Sequence, residues 1–491
     1  MDKLELCKAN NVPLTPIIFL KRASECYPNR TSIIYGNYRF TWPQTYDRCC
    51  RLAAFLLSLN ITRNDVVSIL APNVPVMYEV HFSVPMTGAV LNPINTRLDA
   101  KTIAVILRHA EPKIVFVDHE FAPLIQEVFR LLSFGESQAH PLIIFINEIG
   151  STTNPSSKEL DYEGLIRETG TTPSLSATTF LVHDENDPIS LNYTSGTTSE
   201  PKVFKILLEG GGTSQTPKSS PVRVLTGGSA PPAALIEKVQ RLGFQVMHSY
   251  GLTEATGSVL FCEWKDEWNR LPANRQMQLK ARQGVSNLAI ADVDVKNTKT
   301  KESVPQDGKT IGEIVTKGSN IMKGYLKNPK ATTDVFKHGW LNTGDIGAIY
   351  PDGHLEIKDR SKDIIISGGE NISSIDVEKV LYEHQKMMEA AVVAMPHPLW
   401  GETPCAFVVL KKGEKESMTK EEDLIKHFRE NMPHFMCPRK VVFLEELPKN
   451  GIGKILKPKL RDIAKGLVVD EDDIGSKKVQ GTGVNQVSSK L

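Results

Sequence analysis

Between Asn64 and Asn147 the chain alternates two kinds of apolar spacing. Short runs rich in Val and Ile, DVVSILAP, GAVLNPI, KIVFVD and LIIFIN, are separated by longer stretches, VPVMYEVHFSVPM, LDAKTIAVILRHA and APLIQEVFRLLS, with apolar positions at helical spacing. Runs with no polar face predict strands covered on both sides, and the longer stretches predict the helices that cover them. The pattern is that of successive β-α-β units on a parallel sheet. Residues 148–190 are rich in Ser, Thr and Pro and predict a loop and connector. Three further strands are predicted at ISLNYTSGT, VRVLTGGS and QVMHSYGLTE, each ending in a Gly- or Thr-containing turn. Ligands of open α/β sheets gather at such strand ends.

The rhythm changes near Asp359 and Arg360. SSIDVEKVLYEH and MTKEEDLIKHFREN predict two helices with capping pairs, Ser373 with Asp376 and Thr419 with Glu422. AAVVAM, CAFVVL and KVVFLEEL predict strands interleaved with them. The expected architecture is therefore α/β, with a large domain over residues 1–359 and a small α+β domain over 360–468. Residues 469–491 form a tail. A chain of 491 residues exceeds what one core sustains, which fits more than one domain.

Composition narrows the function classes. The chain carries 58 basic and 57 acidic residues, a formal charge of +1, so it has no footprint for nucleic acid or an anionic membrane. No run approaches the roughly 20 apolar residues that span a bilayer, and stable membrane insertion is not expected. The seven cysteines have no C-x-x-C spacing and suit a reducing compartment, with Cys49 and Cys50 explained by helix packing. The tail ends in Ser489-Lys490-Leu491, the receptor-read peroxisomal address, which makes an import receptor the expected partner and the peroxisome the expected location.

Chemistry enters with TSGTTSEPK. Thr194, Ser195, Thr197 and Thr198 bring hydroxyls, Gly196 lets successive N–H groups converge, and Lys202 brings charge, a set suited to phosphate oxygens. The spacing is not that of a Walker A loop. In YGLTEATG, Glu254 stands beside the hydroxyls of Thr253 and Thr256, hard oxygen donors suited to Mg2+ held by one carboxylate and phosphate oxygens. TGGSAPP is a Gly-Gly turn where a flat base can approach the backbone. LNTGDIG carries Asp345, KDRSKDIIISGGEN carries Arg360, and PKNGIGKILK places Lys454 in a Gly-rich loop. Each also suits a plain structural role, Asp345 as a turn cap and Arg360 in a surface pair with Asp359 or Asp363.

In this order the blocks resemble the ANL adenylating superfamily of acyl-CoA synthetases, luciferases and peptide-synthetase adenylation domains. PLTPIIFLKRASECYPNRTSIIYG, LNTRLDAKTIAVILRHAEPKIVFVD, DRSKDIIISGGENISS and AMPHPLWGETPCAFV are similar to plant peroxisomal acyl-activating enzymes of the short-chain, butyrate-type fatty acyl-CoA ligase group. The likeness runs from about Pro13 to Lys465. It implies the adenylating fold and ATP, Mg2+ and coenzyme A as the compounds bound. The reaction implied is an acid joined to AMP, then passed to the thiol of coenzyme A, with a short- or medium-chain carboxylic acid as substrate.

Carried over by residue, the resemblance puts Thr194 to Lys202 on the β- and γ-phosphates of ATP. Gly227, Gly228, Ser229, Ala230 and Pro231, with Ser249, Tyr250 and Gly251, flank adenine; Thr253 touches the α-phosphate and Glu254 holds Mg2+. Asp345 and Arg360 bind the ribose hydroxyls. Lys454 bridges the substrate carboxylate and the α-phosphate, where a compact ammonium cancels charge that grows in the transition state. Lys362 matches a hinge, and Gly368-Gly369 line the pantetheine tunnel.

The resemblance breaks after Lys202, where VFKILLEGG follows at once and only 24 residues stand before Gly227. A block of several tens of residues, holding sheet strands and the wall of the acyl pocket, is absent, so the large domain is expected to be incomplete. The alternative reading is therefore a catalytically impaired variant that binds the nucleotide.

Overall fold

The computed structural model describes residues 13–132, 140–147, 160–169, 184–193, 222–227, 236, 239–286, 292–411, 421–449 and 455–467. By internal contacts the chain falls into two units, Met1–Gly196 and Thr197–Leu491.

In the first unit, α1 (Pro16–Cys26), the hairpin β1 (Thr31–Tyr35) and β2 (Tyr38–Thr41), and α2 (Trp42–Ser58) precede the sheet. Thr41 caps α2 through a reciprocal bond pattern with Gln44. The sheet strands are β3 (Val66–Leu70), β4 (Val90–Pro93), β5 (Ile114–Asp118) and β6 (Leu142–Ile146), in spatial order β4-β3-β5-β6 and all parallel. Between them lie α3 (Pro75–Met86), α4 (Ala100–Ala110) and α5 (Ala122–Leu132), each where the apolar spacing predicts it.

The two-residue period of β5 divides the core. Ile114 and Phe116 pack with α2 and α3 residues such as Leu52 and Val80, whereas Val115 and Val117 pack with Ile103 of α4 and Val128 of α5. Cys49 is buried on α2, as the packing explanation requires.

The connector is not wholly irregular. Residues Tyr162–Glu168 form α6, started by the Asp161 side chain accepting from Gly164 N at 3.0 Å. Tyr162, Leu165 and Ile166 pack against the sheet's first core. Arg48 of α2 explains its docking: the guanidinium bonds Glu79 of α3, fully buried, at 2.6 Å and Glu163 at 2.6 Å. Tyr162 donates to the other oxygen of Glu79. A buried carboxylate needs such partners, and α6 supplies one of them. The strand predicted at ISLNYTSGT is reduced to a single parallel bridge, Ser190 with Leu91, in the part described.

In the second unit, β7 (Val222–Thr226) and β8 (Phe244–Leu252) pair in parallel, and β9 (Gly257–Cys262) and β10 (Val285–Ser286) continue that sheet antiparallel. Strands β11 (Asp292–Lys296), β12 (Gly312–Lys317), β13 (Phe336–Lys337), β14 (Trp340–Ile349) and β15 (Leu355–Arg360) form a wholly antiparallel sheet. Parallel pairing thus holds for β3 to β6, for β7 with β8 and, in the last sheet, for β19 with β20. Strands joined by a short connection, such as the turn between β14 and β15, pair antiparallel.

The last sheet, β16 (Ile365–Ser367), β17 (Glu370–Ile372), β18 (Met387–His397), β19 (Gly401–Leu410) and β20 (Lys440–Phe443), packs helices on both faces. Helices α7 (Ala273–Lys280) and α8 (Pro329–Val335) precede it; α9 (Ser374–Glu383), α10 (Glu421–Asn431) and α11 (Lys457–Lys465) belong to it. Ala390 and Val392 of β18 face α9 and α10 residues, while Ala391, Val393 and Met395 face Leu460 and Ala464 of α11. Ser373 caps α9 by accepting from Asp376 N at 3.0 Å. The other predicted cap, at Thr419, lies outside the described residues. No described helix is long and apolar enough to cross a membrane.

Candidate active site

Parallel pairing of β7 and β8 aligns Thr226 with His248, so Gly227 emerges beside Ser249. Ser249 Oγ donates to Thr226 O at 3.1 Å, and a Cβ on Gly227 would stand 2.6 Å from that oxygen. Only glycine leaves the serine in place. One residue on, the β8–β9 register slips between Tyr250 and Gly251, and the backbone of β9 closes on Gly251. A Cβ there would lie 1.8 Å from Gly257 O. Gly251→Ala is expected to cost at the upper end of the about 1–3 kcal/mol typical of overpacking, read as a lowered denaturant midpoint.

The chain then turns through Thr253–Ala255. Met322 N donates to Glu254 O at 2.7 Å, Asn320 Nδ2 to Ala255 O at 2.9 Å, and Thr256 Oγ1 to Asn320 O at 2.6 Å. Thr256 therefore commits its hydroxyl proton to the fold. Thr253 stays exposed. The Glu254 carboxylate accepts from Tyr325 Oη at 3.1 Å and opens onto a cleft of about 240 Å3 shared with Glu313, Tyr325, Asn342, Thr343 and Gly344.

Asp345 stands next to that cleft. It pairs in register with Arg360 across β14 and β15, and Arg360 Nε reaches Asp345 Oδ1 at 2.7 Å. Tyr250 Oη, from the other sheet, donates to Asp345 Oδ2 at 2.7 Å. The pairing of Arg360 with Asp359 or Asp363 considered from sequence is not what forms. Burial pushes the Asp345 carboxyl above its usual range, against the pull of Arg360 and Tyr250. Burial also holds the Tyr250 phenol far above its ordinary value, reinforced by the charge of Asp345, so it stays a donor.

Past Arg360, exposed Lys362 occupies a turn, and Gly368 and Gly369 join β16 to β17 with φ of +59° and +90°. Two positive φ values in a two-residue hairpin loop favour glycine. Gly368 N donates to Trp400 O at 3.0 Å; the Trp400 indole stacks on His397 and lies 4.0 Å below the Arg439 guanidinium.

On α11, Lys457 is buried. Its Nζ donates to Ser374 Oγ at 2.6 Å and pairs with Glu378 at 2.9 Å, while Ser374 N donates to the Asp359 carboxylate. Arg461 of the same helix bonds Asp363. Lys457 was not singled out from the sequence, yet it falls on the buried stripe of α11 with Leu460 and Ala464, a lysine on an apolar face. That signal was legible; Tyr325 and Thr343 carry none.

The chemistry of one carboxylate, Glu254, opening onto a cleft fits Mg2+ that keeps water and phosphate oxygens as its other ligands. Among the described residues no group of three His, Cys, Asp or Glu gathers that would form an all-protein metal cage. Thr194 to Thr198, Lys202, Gly228 to Pro231, Lys454 and Ser489 to Leu491 lie outside the described residues.

Comparison with known proteins decides what this arrangement belongs to. The AMP-binding enzyme family matches residues 20–206 and 201–326, and the AMP-binding enzyme C-terminal domain matches residues 376–454. This chain belongs to the AMP-binding enzyme family. The peroxisomal butyrate–CoA ligase of Arabidopsis thaliana is 67% identical, with all of both chains covered, and the peroxisomal benzoate–CoA ligase of the same plant is 60% identical over 98% of each. Among solved structures, an anthranilate CoA ligase bound to anthranoyl-AMP shares the fold at a TM-score of 0.73 and 20% identity, over 94% of this chain and 99% of that one.

Two features of this AMP-binding enzyme stand out in those matches. The alignment with the butyrate–CoA ligase runs over 572 positions against 491 residues here, leaving at least 81 without a counterpart. The two family matches meet at residues 201–206.

Proposed function

We propose that this protein is an ATP-dependent acid:CoA ligase that activates a short- or medium-chain carboxylic acid through its acyl-adenylate. The observation that carries the nucleotide half of this reading is the convergence of Tyr250, from another sheet, and Arg360, from the paired strand, on the buried Asp345 carboxylate beside the Glu254 cleft. A buried carboxylate with lone pairs to spare suits paired hydroxyls, as in a ribose.

In this reading Asp345 and Arg360 take the ribose, and the Gly227 and Ser249–Gly251 edges face adenine with Gly228, Ser229, Ala230 and Pro231. Thr253 and Thr194–Lys202 meet the phosphates and Glu254 holds Mg2+, which would neutralise charge on them. Lys454 stabilises the attack of the carboxylate on the α-phosphate. Lys362 is the pivot between a lobe over residues 1–359 and one over 360–468. The Gly368-Gly369 turn, with the Trp400 indole beside it, faces the pantetheine arm of coenzyme A. The relatives named for peroxisomal ligases support the same compartment, with Ser489-Lys490-Leu491 as the signal read by the import receptor.

The alignment positions without a counterpart favour a second reading beside this one, a chain that keeps nucleotide binding while its acyl pocket is deficient. Calorimetric titration with AMP, paired with pyrophosphate exchange on C3 to C10 acids, tests both. AMP binding is expected, with Asp345→Asn weakening it about 10- to 100-fold, the worth of a charge-assisted hydrogen bond at about 1.5–3 kcal/mol. Exchange with any acid supports the ligase; AMP binding without exchange supports the second reading. If no adenine nucleotide binds, both readings fall.

A further inference from the structure

We propose that Tyr250 is a positioning residue for the nucleotide ribose, its hydroxyl holding the Asp345 carboxylate in the one orientation that leaves an accepting lone pair on each oxygen for the two ribose hydroxyls. This rests on the nucleotide site proposed above, and it assigns Tyr250 a role different from flanking the base.

The geometry has three parts. First, the two grips on Asp345 come from different sheets. Arg360 holds Oδ1 from the adjacent strand β15, and Tyr250 holds Oδ2 from β8, so the carboxylate is pinned from two directions. Second, the phenol does not wander. Tyr250 is buried in a cluster with Val259, Ile314 and Ile349, and a ring with two side-chain torsions fixed by packing delivers its oxygen to one point. Third, the count of donors matters. An ionised carboxylate offers about four acceptor positions. One is taken by Arg360 and one by Tyr250, on separate oxygens, which leaves one on each side. The main chain supports the same pose, since Asp345 N donates to Thr343 Oγ1 at 3.1 Å while Thr343 donates to Ile314 O at 2.7 Å.

Removing the phenol oxygen changes more than one bond. A guanidinium presents Nε–H and a terminal N–H as a fork that matches both oxygens of a carboxylate. With Tyr250 absent, nothing opposes rotation of Asp345 into that fork, and both of its inward lone pairs turn to Arg360. The loss therefore falls on ribose recognition and leaves the base and phosphate contacts as they were.

The test compares AMP with 2′,3′-dideoxy-AMP, by calorimetric titration of the full chain and of its Tyr250→Phe variant. The wild-type protein is expected to prefer AMP by about tenfold or more. In Tyr250→Phe that preference is expected to shrink to less than about threefold, through weaker AMP binding with dideoxy-AMP binding unchanged. Equal weakening of both nucleotides, with the preference kept, overturns the proposal and leaves Tyr250 as a wall beside the base. Asp345→Asn supplies a second variant should Tyr250→Phe not fold: if it keeps the preference for AMP, Asp345 does not read the ribose and the proposal fails. A wild-type protein that binds neither nucleotide removes the underlying site as well, a different result from binding without preference.

Discussion

Inserting after Lys202 the segment that the butyrate–CoA ligase carries and this chain lacks is expected to raise pyrophosphate exchange with butyrate by at least about 100-fold. That is the scale on which loosened substrate positioning slows a reaction. The insertion point follows from the two family matches, which meet at residues 201–206, and from at least 81 aligned positions of the ligase with no residue here. In the proposed reading the absent segment builds the wall of the acyl pocket, whereas the residues gripping Asp345 all lie downstream of the junction. The insertion should accordingly leave AMP affinity largely as it is. Equal exchange rates with and without the insert would show that the pocket is complete in the shorter chain.

Replacing Lys457 with methionine is expected to destabilise the lobe built on β16 to β20 by about 3–5 kcal/mol, the usual consequence of removing one partner from a buried ion pair. Burial alone would lower the Lys457 ammonium, and the charges of Glu378, Asp359 and Asp363 more than offset this and hold it above the ordinary lysine value. Glu378 and Asp359 are themselves pushed up by burial, with Lys457 pulling against it. A lysine raised in the fold contributes stability that is complete below its unfolded value and is lost only as pH climbs past the ordinary lysine range. The effect is thus fully present at neutral pH. Amide exchange in α9 and β18 should accelerate in Lys457→Met, and adding Glu378→Gln should restore part of the protection by removing the stranded charge. Unchanged exchange in the single variant would mean that water already compensates Glu378.

The architecture was largely legible because its signals are local. The Val- and Ile-rich strands β3 and β5 read as buried parallel strands, and Ser373 read as the cap of α9, since both depend on residues a few positions apart. Helix α6 was not legible. Its seven residues sit in a Ser/Thr/Pro-rich stretch, and what docks it is Arg48, more than a hundred residues earlier. The same limit applies to the site. Asp345 and Arg360 were singled out from the order of motifs, but the alternative partners for Arg360 were sequence neighbours, because linear distance cannot reveal that β14 and β15 bring Asp345 alongside. Glu254 was singled out for Mg2+ from its neighbours in sequence, but that it lines a cleft with Tyr325, and that Thr256 donates its hydroxyl proton to Asn320, depend on residues 71 and 64 positions away.

The guanidinium shared by Glu79 and Glu163 also sets where this protein can be cut. An N-terminal fragment ending after β6 would retain every strand of its sheet yet strip Glu79 of the Tyr162 phenol and Arg48 of its second carboxylate. Expression boundaries chosen from the strands alone would thus leave buried charge unpaired, and a version of the first unit that keeps these bonds extends at least through Glu168, with Ser190 needed as well for the bridge to Leu91.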